Sequence, residues 1–411
     1  MNDYLTVLEI LNEVFEGRNL NESFASNISS DRNNVSKIKD VCYGLIRNYY
    51  IIKIIIEDMV KNKPSDIRVL LILYIGIYEL KFTKKPPYAI SNDLVELTYH
   101  LTDDAKIKGF VNAIIRGFIR NKESIEDAIK SKSEYKYNFP IWMISKLKQE
   151  YPKRYLEIMA NSSIIPKLAL RVNLRKSSFT DYQKLLDKDS YILIDNKIVL
   201  TNSIKIENIP LFKDGYVSIQ DVSAQKLIEI ATPNDGDDVL DACAAPGGKT
   251  CQLLENCNIN LTSMDIDDER LNKVRQNLER LQLNATLINA DASTWRSNKQ
   301  YDFIIADVPC SASGTLKRNP DIKLQRKLSD IAKFVNTQQK IVRNLWSMLK
   351  PGGRLIYITC SIFKEENHDN LEYFMQNLSG VKKISELNII PTEYMDGFYY
   401  CVLGKEKHAD L

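Results

Sequence analysis

Two cysteines stand just past the ends of apolar runs, in Ala306-Asp-Val-Pro-Cys-Ser-Ala-Ser-Gly314 and Tyr357-Ile-Thr-Cys-Ser361, and a third run ends in Asp241-Ala-Cys-Ala-Ala-Pro-Gly-Gly-Lys-Thr250. Lone cysteines are ordinarily inert core residues, and Cys42, Cys251, Cys257 and Cys401 read that way. Cys310 and Cys360 differ, because strands of one parallel sheet bring their C-terminal ends to one edge, where a thiol meets a ligand rather than a packed interior. In the third motif Gly247 and Gly248 permit close passage of a ligand, and the helix that follows offers free amides. Three cofactors compete for such a turn. A dinucleotide requires G-x-G-x-x-G, which is absent, and a phosphate loop requires glycine where Cys243 stands. S-adenosylmethionine has a carboxylate, an ammonium, a ribose diol and an adenine, which suit a glycine turn followed by acids at successive strand ends.

Those acids are present. Asp241, Asp265, Asp291 and Asp307 each close an apolar run. Asp265 is placed to accept from ribose hydroxyls, as the acid after a dinucleotide turn does, and Asp291 to face the adenine edge, through its carboxylate or neighbouring amides. A methyl donor beside two thiols points to a pyrimidine acceptor. C5 of cytosine is too weak a nucleophile unaided, but a thiolate added at C6 places electron density on C5; loss of the C5 proton and elimination of the thiolate then restore the ring. Amine methylation needs no such pair. Asp307 can hydrogen-bond N3 and the exocyclic amine, and to share a proton with N3 its pKa must rise. Lys249 either orients the base and Asp307 or hydrogen-bonds the turn. Which cysteine attacks stays open on chemistry alone.

The elements that must hold these residues follow from the spacing. About 24 residues separate Asp241 from Asp265 and about 26 separate Asp265 from Asp291, with helical patterns over 247–255 and 269–281. Strand, crossover helix and parallel strand fit this rhythm, so the expected fold class is α/β, a Rossmann-like S-adenosylmethionine-dependent methyltransferase domain over 226–405. Residues 1–130 read as an all-helical domain, with helices over 4–14, 35–60 and 65–80, and Arg116 and Arg120 share a helix face. Residues 131–225 read as a small mixed α+β middle domain with strands in Tyr-Ile-Leu-Ile-Asp-Asn-Lys-Ile-Val-Leu and Asn-Ser-Ile-Lys-Ile. Residues 131–180 hold ten Lys or Arg against three Glu, an excess able to counter a phosphate backbone. Lys317, Arg318, Lys323, Arg326 and Lys327 form a second basic cluster expected to grip RNA.

The 411 residues allow two or three folding units. The net charge of +3 means that contact with nucleic acid must rest on local patches. Seven cysteines without a C-x-x-C pair, and a start without a secretory segment, favour a reducing cytoplasm. The most apolar stretch, Val-Leu-Leu-Ile-Leu-Tyr-Ile-Gly-Ile-Tyr-Glu-Leu, is too short to cross a bilayer. His100, His368 and His408 are scattered, so no metal site is expected.

The motifs around Asp241, Asp307–Cys310 and Cys360 strongly resemble those of the NOL/NOP2/Sun family of RNA 5-methylcytosine methyltransferases. The whole chain is most similar to its bacterial small-subunit ribosomal RNA branch. Arg-Val-Leu-Leu-Ile-Leu-Tyr-Ile-Gly-Ile-Tyr-Glu-Leu and Lys-Gly-Phe-Val-Asn-Ala-Ile-Ile-Arg resemble its antitermination-factor-like (NusB-like) RNA-binding domain, and Arg-Asn-Pro-Asp-Ile-Lys and Asp-Gly-Phe-Tyr-Tyr-Cys-Val-Leu resemble elements of its catalytic domain. The resemblance implies that Cys243, Ala244, Ala245, Pro246, Gly247, Gly248 and Lys249 line the methionine end of S-adenosyl-L-methionine, with Asp265 on ribose, Asp291 by adenine and Asp307 in the same site. It also implies that Cys360 attacks C6 and Cys310 assists release. Val308 departs from the family's Asp-Ala-Pro-Cys, a change expected to leave activity intact. The implied partner is 16S ribosomal RNA, unmodified or partly assembled, met by a monomer away from any membrane. The same chemistry on transfer RNA, and a non-enzymatic RNA-binding or ribosome assembly factor, are the alternatives.

Overall fold

The computed structural model describes residues 2–28 and 34–407; His408 lies outside them. The chain forms two compact units, one of Met1–Ser163 with Leu316–Leu328, the other of Ile164–Thr315 with Ser329–Leu411.

The first unit is helical. Its centre is the helix Ile67–Phe82, whose residues from Val69 to Glu79 are all buried, because the apolar side chains cover every face and must be wrapped by neighbours. Helices Asn2–Phe15, Val35–Arg47, Tyr49–Met59 and Ala105–Ile129 supply one apolar stripe each. The expected helix over 35–60 is broken at Asn48, whose side chain donates to the Gly44 carbonyl and ends the first piece. Gly44 sits against the Tyr78 ring, leaving no room for a Cβ. Helices Ser133–Tyr137, Ile141–Glu150 and Tyr155–Ser163 also belong to this unit, as does the strap Leu316–Leu328. Lys323 within the strap is 2% exposed, and its Nζ donates to the carbonyls of Arg47 at 2.9 Å and Asn138 at 3.0 Å.

The second unit holds two sheets. Strands β1 (Ala169–Val172), β2 (Tyr191–Ile194), β3 (Lys197–Leu200) and β4 (Val217–Ile219) pair in the order β2-β3-β1-β4, antiparallel throughout. The expected strand over 202–206 is instead an irregular lead into a short 3-10 turn at Ile206–Asn208, and β4 takes the place beside β1. The larger sheet contains β5 (Asp238–Asp241), β6 (Asn260–Asp265), β7 (Thr286–Asn289), β8 (Tyr301–Asp307), β9 (Leu349–Thr359), β10 (Val381–Ile389) and β11 (Phe398–Lys405), in the order β10-β11-β9-β8-β5-β6-β7. From β7 to β9 the pairing is parallel, and β11 and β10 add an antiparallel edge. This is the expected Rossmann-like sheet. Its chain winds from β5 through β6 to β7 on one side and from β8 to β9 on the other, so a switch point lies at the C-terminal end of β5, where open α/β sheets leave a crevice.

Candidate active site

The crevice edge gathers the acids that the spacing singled out. Asp241 closes β5, level with Ser263 of β6 and Ile305 of β8, Asp265 closes β6 and Asp307 closes β8. The turn after Asp241 reaches the helix Gly248–Asn256 through Gly247, whose φ of +100° is open to glycine and strained for other residues. Asp265 is 4% exposed. It accepts from the amide of Ala245 at 3.0 Å and from that of Asp267 at 3.1 Å, so it is clamped between the glycine turn and its own strand end. Asp291 lies two residues beyond β7 and caps a turn, accepting from the Ser293 amide at 2.8 Å.

Asp241 is fully buried. Thr250 donates to its Oδ2 at 2.7 Å, while Oδ1 has no hydrogen-bond partner. Burial, with the charges of Asp307 and Asp265, pushes its pKa up to about 7 against the opposing pull of Thr250 and Lys249. A half-satisfied buried carboxylate beside a glycine turn leaves an acceptor for a cationic or hydroxylic ligand group. The side chains present therefore fit S-adenosylmethionine. Cys243 is held as a thiol, its pKa raised first by burial.

Lys249 resolves one of the readings left open. Its ammonium bonds Asp307 Oδ2 at 2.5 Å and lies 5.4 Å from the centre of the Phe398 ring. Burial opposes its charge, but the charge and hydrogen bond of Asp307, then the charges of Cys360 and Asp241, hold its pKa above the ordinary lysine value. Lys249 is thus a fixed cation on the Asp307 carboxylate.

The two expected thiols meet. Cys310 Sγ and Cys360 Sγ are 3.4 Å apart as free thiols. Cys310 is buried, whereas Cys360 is partly exposed. The hydrogen bond with Cys360, burial, and the charges of Cys360 and Glu366 hold the Cys310 pKa well above that of an ordinary thiol. The strand ends that carry them are joined where the Gly314 amide donates to the Cys360 carbonyl and the Gly397 amide donates to the Gly314 carbonyl, both at 2.8 Å. A Cβ on Gly314 would lie 2.2 Å from the Gly397 oxygen, so the crossing requires glycine.

Behind the thiols stands a residue that sequence reasoning missed. Glu366 is 0% exposed and accepts from Ser311, the neighbour of Cys310, and from Ser361, the neighbour of Cys360. The Cys-Ser pair repeated in both motifs was the available signal.

The basic clusters fare less uniformly. Arg116 and Arg120 are exposed on the helix Ala105–Ile129. Lys317 and Lys323 are buried at 1% and 2% exposure, which corrects their expected grip on RNA. Arg171 is taken by a buried ion pair with Glu255 at 2.8 Å, and Lys146 pairs with Glu150 at 2.6 Å. Among the described residues no group of three or more His, Cys, Asp or Glu could hold a metal, and no helix is long and apolar enough to cross a membrane.

A doubly wound sheet with a glycine turn and strand-end acids at its crevice fits the Rossmann-like methyltransferase class, and comparison with known proteins makes the assignment narrower. Residues 228–403 match the model of the 16S rRNA methyltransferase RsmB/F family, residues 2–136 that of the NusB family, and residues 139–208 that of the RsmF/B-like ferredoxin-like domain. The ribosomal RNA small subunit methyltransferase B of Vibrio cholerae is 34% identical over 390 residues, covering 90% of this chain and 89% of its own. The Shewanella oneidensis protein of the same name is 36% identical over 393 residues, with coverages of 90% and 91%. The chain belongs to the RsmB/F family of rRNA methyltransferases. The crystal structure of PH0851, 20% identical, shares the fold with a TM-score of 0.80 over 97% of this chain and 98% of that one.

Proposed function

We propose that the protein methylates C5 of one cytosine in 16S ribosomal RNA through a covalent adduct at C6, with Cys360 as nucleophile and Cys310 assisting release. The observation that carries this reading is the 3.4 Å approach of two free thiols beside the Lys249–Asp307 pair. S-adenosyl-L-methionine, when bound, supplies the methyl group on a sulfonium. Cys243, Ala244, Ala245, Pro246, Gly247, Gly248 and Lys249 would hold its methionine end, Asp265 its ribose and Asp291 its adenine, with Asp307 at the reacting face.

The surroundings of the two cysteines support these roles. Cys310 is buried and strongly favoured as a thiol, whereas Cys360 is the more exposed of the two and the one a base in the crevice can reach. Thiolate addition at C6 moves the ring electrons to C5. Asp307, fixed by Lys249, accepts from the cytosine amine and so holds the ring in place for addition at C6. Once C5 has taken the methyl, a base removes the C5 proton, the C6–S bond breaks and Cys360 leaves as thiolate. Cys310, within hydrogen-bond reach, can donate to that leaving sulfur.

The target base must be unstacked to reach the crevice, so a loop, bulge or opened site is the expected RNA context. Incubation with labelled S-adenosylmethionine and unmodified 16S rRNA, followed by nucleoside analysis, should find label in 5-methylcytosine at one position. Label in any other nucleoside defeats the reading. Efficient labelling of transfer RNA but not of 16S rRNA would keep the chemistry and replace the substrate.

A further inference from the structure

We propose that Glu366 is the positioning residue that holds the two cysteine loops in register, so that the apposition of Cys310 and Cys360 depends on one buried carboxylate. The inference rests on the covalent mechanism proposed above and deepens it.

The geometry around Glu366 is closed. Its Oε1 accepts from the Ser311 amide at 2.8 Å and from Gln338 Nε2 at 3.0 Å. Its Oε2 accepts from the hydroxyls of Ser311 and Ser361, both at 2.5 Å. Ser311 follows Cys310 and Ser361 follows Cys360, so the carboxylate is bonded to the residue next to each thiol. Gln338 also donates to the Pro309 carbonyl at 3.0 Å, fixing the cysteine loop from its other side. Ser313 completes the cluster. Its hydroxyl lies 3.0 Å from that of Ser311 and 3.1 Å from that of Ser361, and it accepts from the Ile362 amide at 3.0 Å. Ala312, at φ +58°, turns the loop between the two serines, a conformation costly for a residue with a Cβ and held by the contacts around it.

A buried carboxylate is retained only when hydrogen bonds replace its water, and here four donors do so. A purely structural anion would not need its donors to come from the two residues beside the reacting sulfurs. The arrangement also separates two chemically similar thiols. The Glu366 charge contributes to disfavouring the Cys310 thiolate, after the Cys360 hydrogen bond and burial, which leaves Cys310 as the proton donor of the pair. Glu366 bonds the serines rather than the sulfurs, and so acts through Ser311 and Ser361.

Oxidative cross-linking reads the sulfur geometry directly. Diamide removes two electrons and two protons from a pair of thiols, becoming the hydrazine while one S–S bond forms. The full-length protein should give the Cys310–Cys360 disulfide rapidly, as measured by mass spectrometry of the joined peptides. Glu366→Ala should slow this cross-link about tenfold or more and lower kcat by a similar factor, with KM for RNA and S-adenosylmethionine affinity unchanged. Glu366→Gln, which keeps shape but sets an amide against the same donors, should fall between. If Glu366→Ala does not fold, Ser361→Ala and Ser311→Ala each remove one hydroxyl donor, and both should slow the cross-link. Wild-type cross-linking and kcat in folded Glu366→Ala, or in both serine variants, overturn the proposal. Because the cross-link needs no RNA, absence of methylation by the wild-type protein would refute the proposed function and leave this test intact.

Discussion

The proposed chemistry rests on single side chains, and each can be tested by replacement. Replacing Cys360 by Ala should lower turnover by at least about 1,000-fold and abolish the covalent RNA adduct, because Cys310 is buried and out of position for addition at C6. Cys310→Ala should do the reverse to the adduct: attack survives, release fails, and protein joined to RNA accumulates on a denaturing gel. Equal adduct levels in the two variants would contradict the division of labour. Asp241 gives a pH signature. Its folded pKa of about 7 lies above the ordinary 3.8, so the fold favours its protonated form. That contribution is complete below about pH 4 and is lost as pH rises through about 7. Cofactor-free protein should therefore lose part of its thermal stability between about pH 4 and about pH 7. Asp241→Asn should flatten that part, whereas melts with the same pH slope in both proteins would show that Asp241 does not titrate there.

At the scale of elements, the site is a set of strand ends tied by backbone. The Cys310 and Cys360 loops meet through Gly314 and Gly397, and no side chain fits at the crossing. Gly314→Ala should cost about 1–3 kcal/mol from overpacking and lower kcat while leaving S-adenosylmethionine affinity in place, since the residues proposed for its methionine, ribose and adenine lie on the glycine turn and at the ends of β6 and β7. Calorimetric binding paired with single-turnover rates separates the two effects; a variant with normal turnover would deny the crossing a role. The Lys249–Asp307 pair joins the helix Gly248–Asn256 to the end of β8. The Lys249→Met substitution should reduce kcat about 100-fold by leaving Asp307 without its cation.

In the whole molecule the chain enters one unit, leaves it and returns. Shortly after Cys310, residues 316–328 run as a strap in the helical unit, and the buried Lys323 is its anchor. Burial and the charge of Arg47 push Lys323 down to about 7, so its amine form suits the site. The corresponding stability is greatest above about pH 10 and fades as pH falls toward about 7. Lys323→Met leaves two carbonyls without their donor and should destabilise the helical unit by about 1–3 kcal/mol. Hydrogen exchange should accelerate across 316–328 in that variant; unchanged exchange would deny Lys323 the anchoring role.

Much of this was legible in the residues themselves. Periodicity and the spacing of Asp241, Asp265 and Asp291 implied the parallel sheet, because a crossover helix of fixed length separates strands whatever the packing. The repeated position of a cysteine just past a strand end implied the paired thiols, since parallel strands share an edge. The strand at β4 and the break at Asn48 were not legible, because sheet pairing and helix capping by neighbours decide them. Charge was the most misleading signal: Lys317 and Lys323 look like RNA contacts in the sequence, yet both are buried in the fold, since composition records a cation but not the carbonyls that surround it. The part of Glu366 was hidden for the same reason. Sequence alone determined which chemical groups this protein has and which sheet edge would bear them; only tertiary packing decided which carboxylate faces Lys249, which stands behind the thiols, and which is left half satisfied, because those outcomes depend on contacts between segments far apart in the chain.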